Sequence, residues 1–438
     1  MTDTAAYEAS WAESYTALGE RIAEQAPHAA PLLAGFNVCV DHVYRMTAGR
    51  IAALAEAADD GGSGGATAAR VLERMAHGRG GELVRIWPGG TDWADAVLGR
   101  PDRAQPGGTG PQAAWSLAVL GAAGVIPLLD RSPRQLSVLH PDLLLCTADG
   151  GTRTVGQTAA GATGETATDP AIAGRQPHAI LEFTAGTPVP GVPEGIARSS
   201  RIILRFTEDG IERDDAFARQ AAALAAGAGA GLLSGLNALP AHGSTAEHTW
   251  LRDVLHGWRQ GELPLLHLEL AEFTAVEELR EGCARYAPLA DSLGMSLSEL
   301  AMLTGPRART APAAAAADLA RAHGLDRVCV HADDWALAVH RGDPDRQRTA
   351  LMTGSLLAAA RAAEGAPAAR PLPPPGARYT ADRPPDGPLG GGLRADCVPA
   401  PHLTRPTATI GLGDTFTGGL LLAHALPVSR AAPLGRLP

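Results

Sequence analysis

The stretch TIGLGDTFTGG, residues 409–419, sets two glycines and a single aspartate between a β-branched run and an apolar segment that reads as a helix. Gly411 and Gly413 permit a tight turn, and the free N–H groups of the helix that follows form a site for an anion. Asp414 is poorly suited to holding a phosphate, because its own charge repels one. It suits a base that takes a proton from an attacking hydroxyl, and it equally suits a helix cap; the stretch by itself leaves both open. A second glycine-led segment, GGTGPQAAWSLAVLG at 107–121, would let a substrate approach its backbone closely. In isolation it is also an ordinary glycine turn entering an alanine-rich helix.

Around these two segments the chain alternates short apolar strands with Ala/Leu-rich helices, the pattern of an open, mostly parallel sheet covered on both faces. Candidate strands are PLLAGFNVCVD, HAILEF, RIILRF, AGLLSGL, PLLHLEL, RVCVHA and WALAVH, with helices expected over 212–227, 246–258, 274–291, 296–303, 312–323 and 346–364. Two regions rich in Gly, Thr and polar residues, 58–108 and 147–177, interrupt the rhythm and suggest a smaller lobe. The run 366–394 is dense in Pro and Gly and reads as a surface linker. No internal repeat is visible.

With 438 residues the chain can build a large core, and its 45% apolar content is that of a soluble globular protein. All 37 basic residues are arginine and the formal charge is −10, which argues against a nucleic-acid partner. The N-terminal stretch lacks a basic region followed by an apolar one, so no secretory signal is expected. The run AAALAAGAGAGLLSGLNAL at 221–239 reads as a buried helix leading into a strand rather than a membrane span. Five scattered cysteines fit neither a disulfide framework nor a paired metal motif and suit a reducing cytoplasm. The oligomeric state stays open, with a monomer as the working expectation.

Taken together, the double-glycine helix and the GxGD turn resemble the ribokinase-like sugar kinases. The ordered set GFNVCVD, HAILEF, RIILRF, SGLNAL, HLELAEF, SLGMSLSELAML, RVCVHA and TIGLGDTF is similar to one branch, the ADP-dependent glucokinase/phosphofructokinase family, over roughly residues 31–424. That resemblance implies a three-layer α/β sandwich with a smaller inserted lid. The large domain would comprise 1–43, 109–146 and 201–438, and the lid 44–108 and 147–200.

It also implies roles. Asp414 would be the catalytic base, with Gly411, Leu412 and Gly413 supplying the amides that hold the transferred phosphoryl group. Arg201 would contact the nucleotide phosphates, a task that suits a planar guanidinium. The family's HxE and NxxE motifs would place Mg²⁺ at Glu269 and Glu299, with His267 in the first motif. Here Ser296 stands where the family has Asn. The acceptor would meet Asp41, Gly108, Thr109 and His178, but Cys39 replaces an Asn and Thr109 a Gln; Asn37 either compensates or only supports the bend of the chain. Glu82 is a candidate for the acid that separates glucose from fructose 6-phosphate. The function so implied is a Mg²⁺-dependent sugar kinase moving a phosphoryl group, with ADP as donor, to a hexose or hexose phosphate. An ATP donor, a non-hexose acceptor and a binder that has lost activity are the alternatives.

Overall fold

Short apolar runs that cannot span a helix become strands, and the longer Ala/Leu-rich segments between them become the helices that bury those strands. The computed structural model describes residues 4–161, 175–208, 210–239, 245–271, 273 and 275–427. Eleven strands form one sheet. Across it they run Gly387–Gly390, Leu393–Pro399, Trp335–His340, Arg327–His331, Ser292–Ser296, Leu266–Glu269, Ala230–Leu233, Leu32–Gly35, Gly124–Val125, Leu144–Cys146 and Thr152–Thr154. From Arg327–His331 through Leu144–Cys146 every pairing is parallel, while both edges finish antiparallel. The parallel strands are buried on both faces, as their continuous apolar runs require.

One face is covered by helices that include Thr245–Gln260, Val276–Tyr286, Leu297–Thr304 and Pro312–His323, with Trp258, Leu279, Leu300 and Ala316 in the core. The other is covered by Thr4–Gln25, Thr109–Val119, Pro344–Glu364 and Leu412–Ala425, contributing Tyr15, Leu117, Leu356 and Leu421. Helix, sheet and helix make the three layers of an α/β sandwich, the class the sequence indicates. Among the described residues no helix is long and apolar enough to cross a membrane. All five cysteines are buried and unbridged.

A second sheet of five strands, in the order Gly81–Val84, Ser200–Arg205, His178–Phe183, Cys39–Arg45 and Arg103–Gly107, has its own core under the helices Ala48–Asp59, Gly62–Ala76 and Gly90–Leu98. Its other face meets the large unit through Val43, Ile180 and Ile203, which pack on Ile410. The boundaries differ from those expected. The smaller unit begins at Cys39 rather than 44 and includes Ser200–Arg205, which pairs antiparallel with His178–Phe183. Thr152–Thr154 instead pairs with Leu144–Cys146 in the large sheet, so 147–161 does not join the smaller unit. Residues 162–174 of the expected lid lie outside the described residues. Composition marks where strands end, but long-range pairing decides which sheet a strand joins.

The Pro/Gly run 366–394 is also more than a linker. Tyr379 is buried and stacks on Tyr15 with ring centroids 5.8 Å apart, Tyr7 donates to the Thr380 carbonyl at 3.0 Å, and Gly387–Gly390 forms the sheet edge. The segment straps the first helix to the sheet.

The helices Pro344–Glu364 and Leu412–Ala425 touch backbone to backbone. A Cβ on Gly354 would stand 2.6 Å from the Phe416 carbonyl oxygen, and one on Gly419 would stand 2.9 Å from the Gly354 Cα. Gly354→Val should therefore lower stability by about 1–3 kcal/mol, the usual cost of forcing extra volume into a packed core. The check is the urea midpoint; an unchanged midpoint would show that the helices separate freely.

Candidate active site

Two helix N-termini meet at the base of a cleft between the two units. Gly411 caps the helix Leu412–Ala425 at φ 75°, and Gly108 caps Thr109–Val119 at φ 91°, conformations that glycine adopts without steric cost. The helices lie side by side: a Cβ on Gly418 would come within 3.0 Å of the Ala113 carbonyl oxygen, and the Ser116 and Thr415 hydroxyls are 3.0 Å apart. Their unpaired first-turn amides and dipoles thus act together on anything negative placed in the cleft.

Asp414 lies in the first turn of the later helix. Burial pushes its pKa up, against the lowering pull of Arg361, the Thr109 side chain and Arg201. Arg361 is the unexpected member. It is completely buried on Pro344–Glu364, donates to the Thr415 hydroxyl at 2.9 Å and lies over the Trp115 ring at 5.3 Å. Its Nε and Nη2 have no hydrogen-bond partner, and burial lowers its pKa to about 10. A Cβ on Gly411 would fall 2.3 Å from Arg361 Nη2, so the guanidinium fits only because residue 411 is glycine. Arg201 lies across from Glu182 in the small sheet, and its Nε is also buried without a partner.

At the ends of the neighbouring parallel strands, Glu269 gathers two histidines. His267 Nε2 is 2.9 Å from one carboxylate oxygen and His331 Nε2 is 3.3 Å from the other. Burial alone would raise the Glu269 pKa, but the hydrogen bonds from His267 and His331 outweigh it and hold the group at about 2. His267 is fixed on its far side by the Ser292 hydroxyl at 2.8 Å, and burial lowers its pKa. His331 is raised despite burial, because Glu269 stabilises its charged form. It reaches towards the anion site, since a Cβ on Gly413 would lie 3.2 Å from its ring. Gly294 leaves room for Glu269, whose Oε2 would be 2.0 Å from a Cβ there.

Glu299 is folded back onto Ser296 in a capping box. It accepts from the Ser296 backbone N–H at 2.6 Å and hydroxyl at 2.8 Å, while Ser296 Oγ accepts from the Glu299 N–H at 3.2 Å. Burial raises its pKa. The serine in place of asparagine therefore has a local structural use.

On the small sheet, Asp41 and His178 are register partners, with Asp41 Oδ1 3.4 Å from His178 Nδ1. Asn37 donates its amide to the Gly210 carbonyl at 2.9 Å, the arrangement that supports the bend, and its own carbonyl oxygen sits where a Gly108 Cβ would be, at 2.2 Å. Glu82 is held by Arg205 at 3.1 Å and Asn237 at 3.0 Å. Glu182 ties the units together. One of its carboxylate oxygens accepts from the Thr409 N–H at 2.6 Å, the Thr409 hydroxyl at 3.0 Å and the Ile410 N–H at 3.0 Å, and the other accepts from Arg103 at 3.1 Å.

Asp414, Gly411, Gly413, Gly108, Thr109, Arg201 and Glu269 thus gather around one cleft, with Leu412 opening the helix and Asp41 within electrostatic reach of Arg361. Sequence reasoning passed over Arg361, Glu182 and His331. Each is a lone polar residue inside an apolar run, LLAAARAAE, HAILEF and RVCVHA, and that isolation was the available signal.

Comparison with known proteins agrees with this geometry. Residues 68–371 match the ADP-specific phosphofructokinase/glucokinase conserved region. The fold is similar to an ADP-dependent kinase solved with fructose-6-phosphate and ADPβS (TM-score 0.73, 18% identity, 95% of this chain and 98% of that one). It is also similar to a hypothetical ADP-dependent phosphofructokinase from Pyrococcus horikoshii OT3 (TM-score 0.67, 16% identity, 91% and 98%). A reconstructed last common ancestor of the ADP-dependent phosphofructokinases from Methanosarcinales has a TM-score of 0.64 at 17% identity, over 95% and 98%. No curated protein matches the sequence. The chain belongs to the ADP-specific phosphofructokinase/glucokinase family of sugar kinases.

Proposed function

We propose that the cleft transfers the terminal phosphoryl group of ADP to a hydroxyl of a hexose or hexose phosphate, with AMP as the second product. The observation that carries this reading is Asp414 set between two glycine-capped helix N-termini, with Arg361 and Arg201 acting on the same point. Phosphoryl transfer asks little covalent chemistry of a protein and much positioning and charge stabilisation. The amides at 411–413 and the buried Arg361 provide fixed positive potential where charge builds up, and they need no reorganisation during the reaction. Asp414, once deprotonated, takes the proton from the acceptor hydroxyl. Arg201 holds the donor phosphates.

Asp41 and His178, with the backbone at Gly108 and the Thr109 hydroxyl, orient the acceptor. Asn37 shapes the turn beneath them. The smaller unit acts as a lid whose closure excludes water, a competitor for the phosphoryl group. Glu182 couples that closure to the loop carrying the base. The family's ADP specificity and the similar kinase captured with fructose-6-phosphate and an ADP analogue support the donor and acceptor classes. The described cleft draws all these residues from one chain, which supports a monomer as the active unit.

Glu269 and Glu299 fit a magnesium ion: both are buried carboxylates supplying hard oxygen donors, and Glu269 stays ionised. Bound there, the ion would offset the negative charge of the nucleotide phosphates. His267 and His331 orient Glu269, and Ser296 orients Glu299.

With Mg²⁺ present, ADP and ATP should be tested against glucose, glucosamine, fructose 6-phosphate and ribose. The expected result is AMP formed from ADP in step with a phosphorylated hexose. Folded, ADP-binding protein that yields no AMP with any acceptor, or that uses only ATP, would overturn the reading. Arg361→Gln should lower kcat by about 100-fold, the scale for losing one preorganised charge-stabilising group, with little change in the KM for ADP. An unaltered kcat would remove Arg361 from the transition-state field.

A further inference from the structure

Cys39, Asp41 and His178 are all buried, and their donor atoms lie within 4.8 Å of one another. Cys39 and Asp41 are two residues apart on one strand and so share a face, while His178 is the register partner of Asp41 on the next strand. Cys39 Sγ is 3.5 Å from His178 Nδ1 and 3.9 Å from Asp41 Oδ1, and the imidazole nitrogen is 3.4 Å from that same oxygen. With Zn–S near 2.3 Å and Zn–N and Zn–O near 2.0–2.1 Å, tetrahedral geometry puts sulfur about 3.5 Å from the lighter donors and puts those about 3.4 Å apart. Two of the three separations match, and the third closes with a side-chain shift of a few tenths of an ångström.

The neighbouring strand leaves the space open. Gly107 faces Cys39 in register, and a Cβ there would lie 2.3 Å from Asp41 Oδ1 and 2.5 Å from Cys39 Sγ. Cys39 also lines a narrow crevice with Asp130, Gln135 and Arg175, which offers an entry path.

We propose that these three side chains form a site for a zinc-type transition-metal ion at the acceptor end of the cleft, distinct from the carboxylate pair Glu269 and Glu299. The donor set is one thiolate, one imidazole and one carboxylate. The sulfur and nitrogen select a borderline-soft ion over Mg²⁺, and three protein ligands leave a fourth position open, as in catalytic rather than structural zinc sites. Binding releases the Cys39 thiol proton and requires His178 to carry its ring proton on Nε2. Asp41 and His178 are also the residues assigned above to the acceptor, so ion and sugar would exclude one another. The site itself stands on the triad's geometry and is read without turnover.

The test is a Co²⁺ titration of the full chain, metal-stripped and reduced, in excess Mg²⁺ so that the hard-oxygen sites are filled. The expected result is one Co²⁺ per chain, with intense tetrahedral d–d absorption and a thiolate-to-cobalt charge-transfer band, both abolished when Zn²⁺ is added. Cys39→Ser should lose the charge-transfer band, and Asp41→Asn should weaken Co²⁺ binding by at least tenfold, with circular dichroism and ADP binding reporting that each variant is folded. Absence of the band in the parent protein would overturn the proposal. So would a band that survives in folded Cys39→Ser, because another cysteine would then be the ligand.

Discussion

A guanidinium with almost no access to water lies directly behind the turn that opens the last helix, and much of the architecture follows from placing it there. Ionised groups taken from water are costly unless they are paired. Arg361 meets that constraint with the Thr415 hydroxyl, the Trp115 ring and the opposing charge of Asp414, while Nε and Nη2 stay unpaired. Its position requires glycine at 411, and the contact of its helix with Leu412–Ala425 requires glycine at 354 and 419. An apolar residue would pack the site more simply. The retained charge makes physical sense as a field source for an anion held by the turn's amides.

The same turn is also where the smaller unit attaches. Glu182 satisfies two backbone N–H groups and one hydroxyl at Thr409 and Ile410, and Val43 and Ile180 close around Ile410. Contacts that hold the cap in place are therefore contacts that set the geometry of the catalytic loop. Acceptor-side residues, on strands of the cap, and donor-side residues, on strand ends and helix starts of the large sheet, are brought into register by a single carboxylate and a small apolar cluster. The cost of burying Glu182 is met by these donors and by Arg103.

Most of the large sheet was legible in the sequence because parallel strands buried on both faces leave continuous apolar runs, and AGLLSGL, PLLHLEL and RVCVHA all became neighbouring strands. Helices with strong apolar periodicity, such as those around Trp258 and Ala316, fell close to their expected limits. The division between the units was less legible. RIILRF reads as just another buried strand, and only its pairing with HAILEF assigns it to the small sheet. The Pro/Gly strap hides its anchor, since the partner of Tyr379 lies some 360 residues earlier at Tyr15. Motif residues at turns were visible because glycine and aspartate stand out there. Arg361, Glu182 and His331 work inside regular elements, where a single polar residue looks like an exception until its tertiary partners are known.

The central claim is that Asp414 acts as a base rather than as a helix cap. The most direct measurement is turnover of Asp414→Asn alongside its affinity for ADP. Asparagine keeps the size and capping capacity of the side chain but cannot accept the proton, so the account predicts a normally folded, ADP-binding protein with kcat reduced by at least ~100-fold. Turnover equal to that of the parent protein would show that Asp414 is a cap and that the proton leaves by another route.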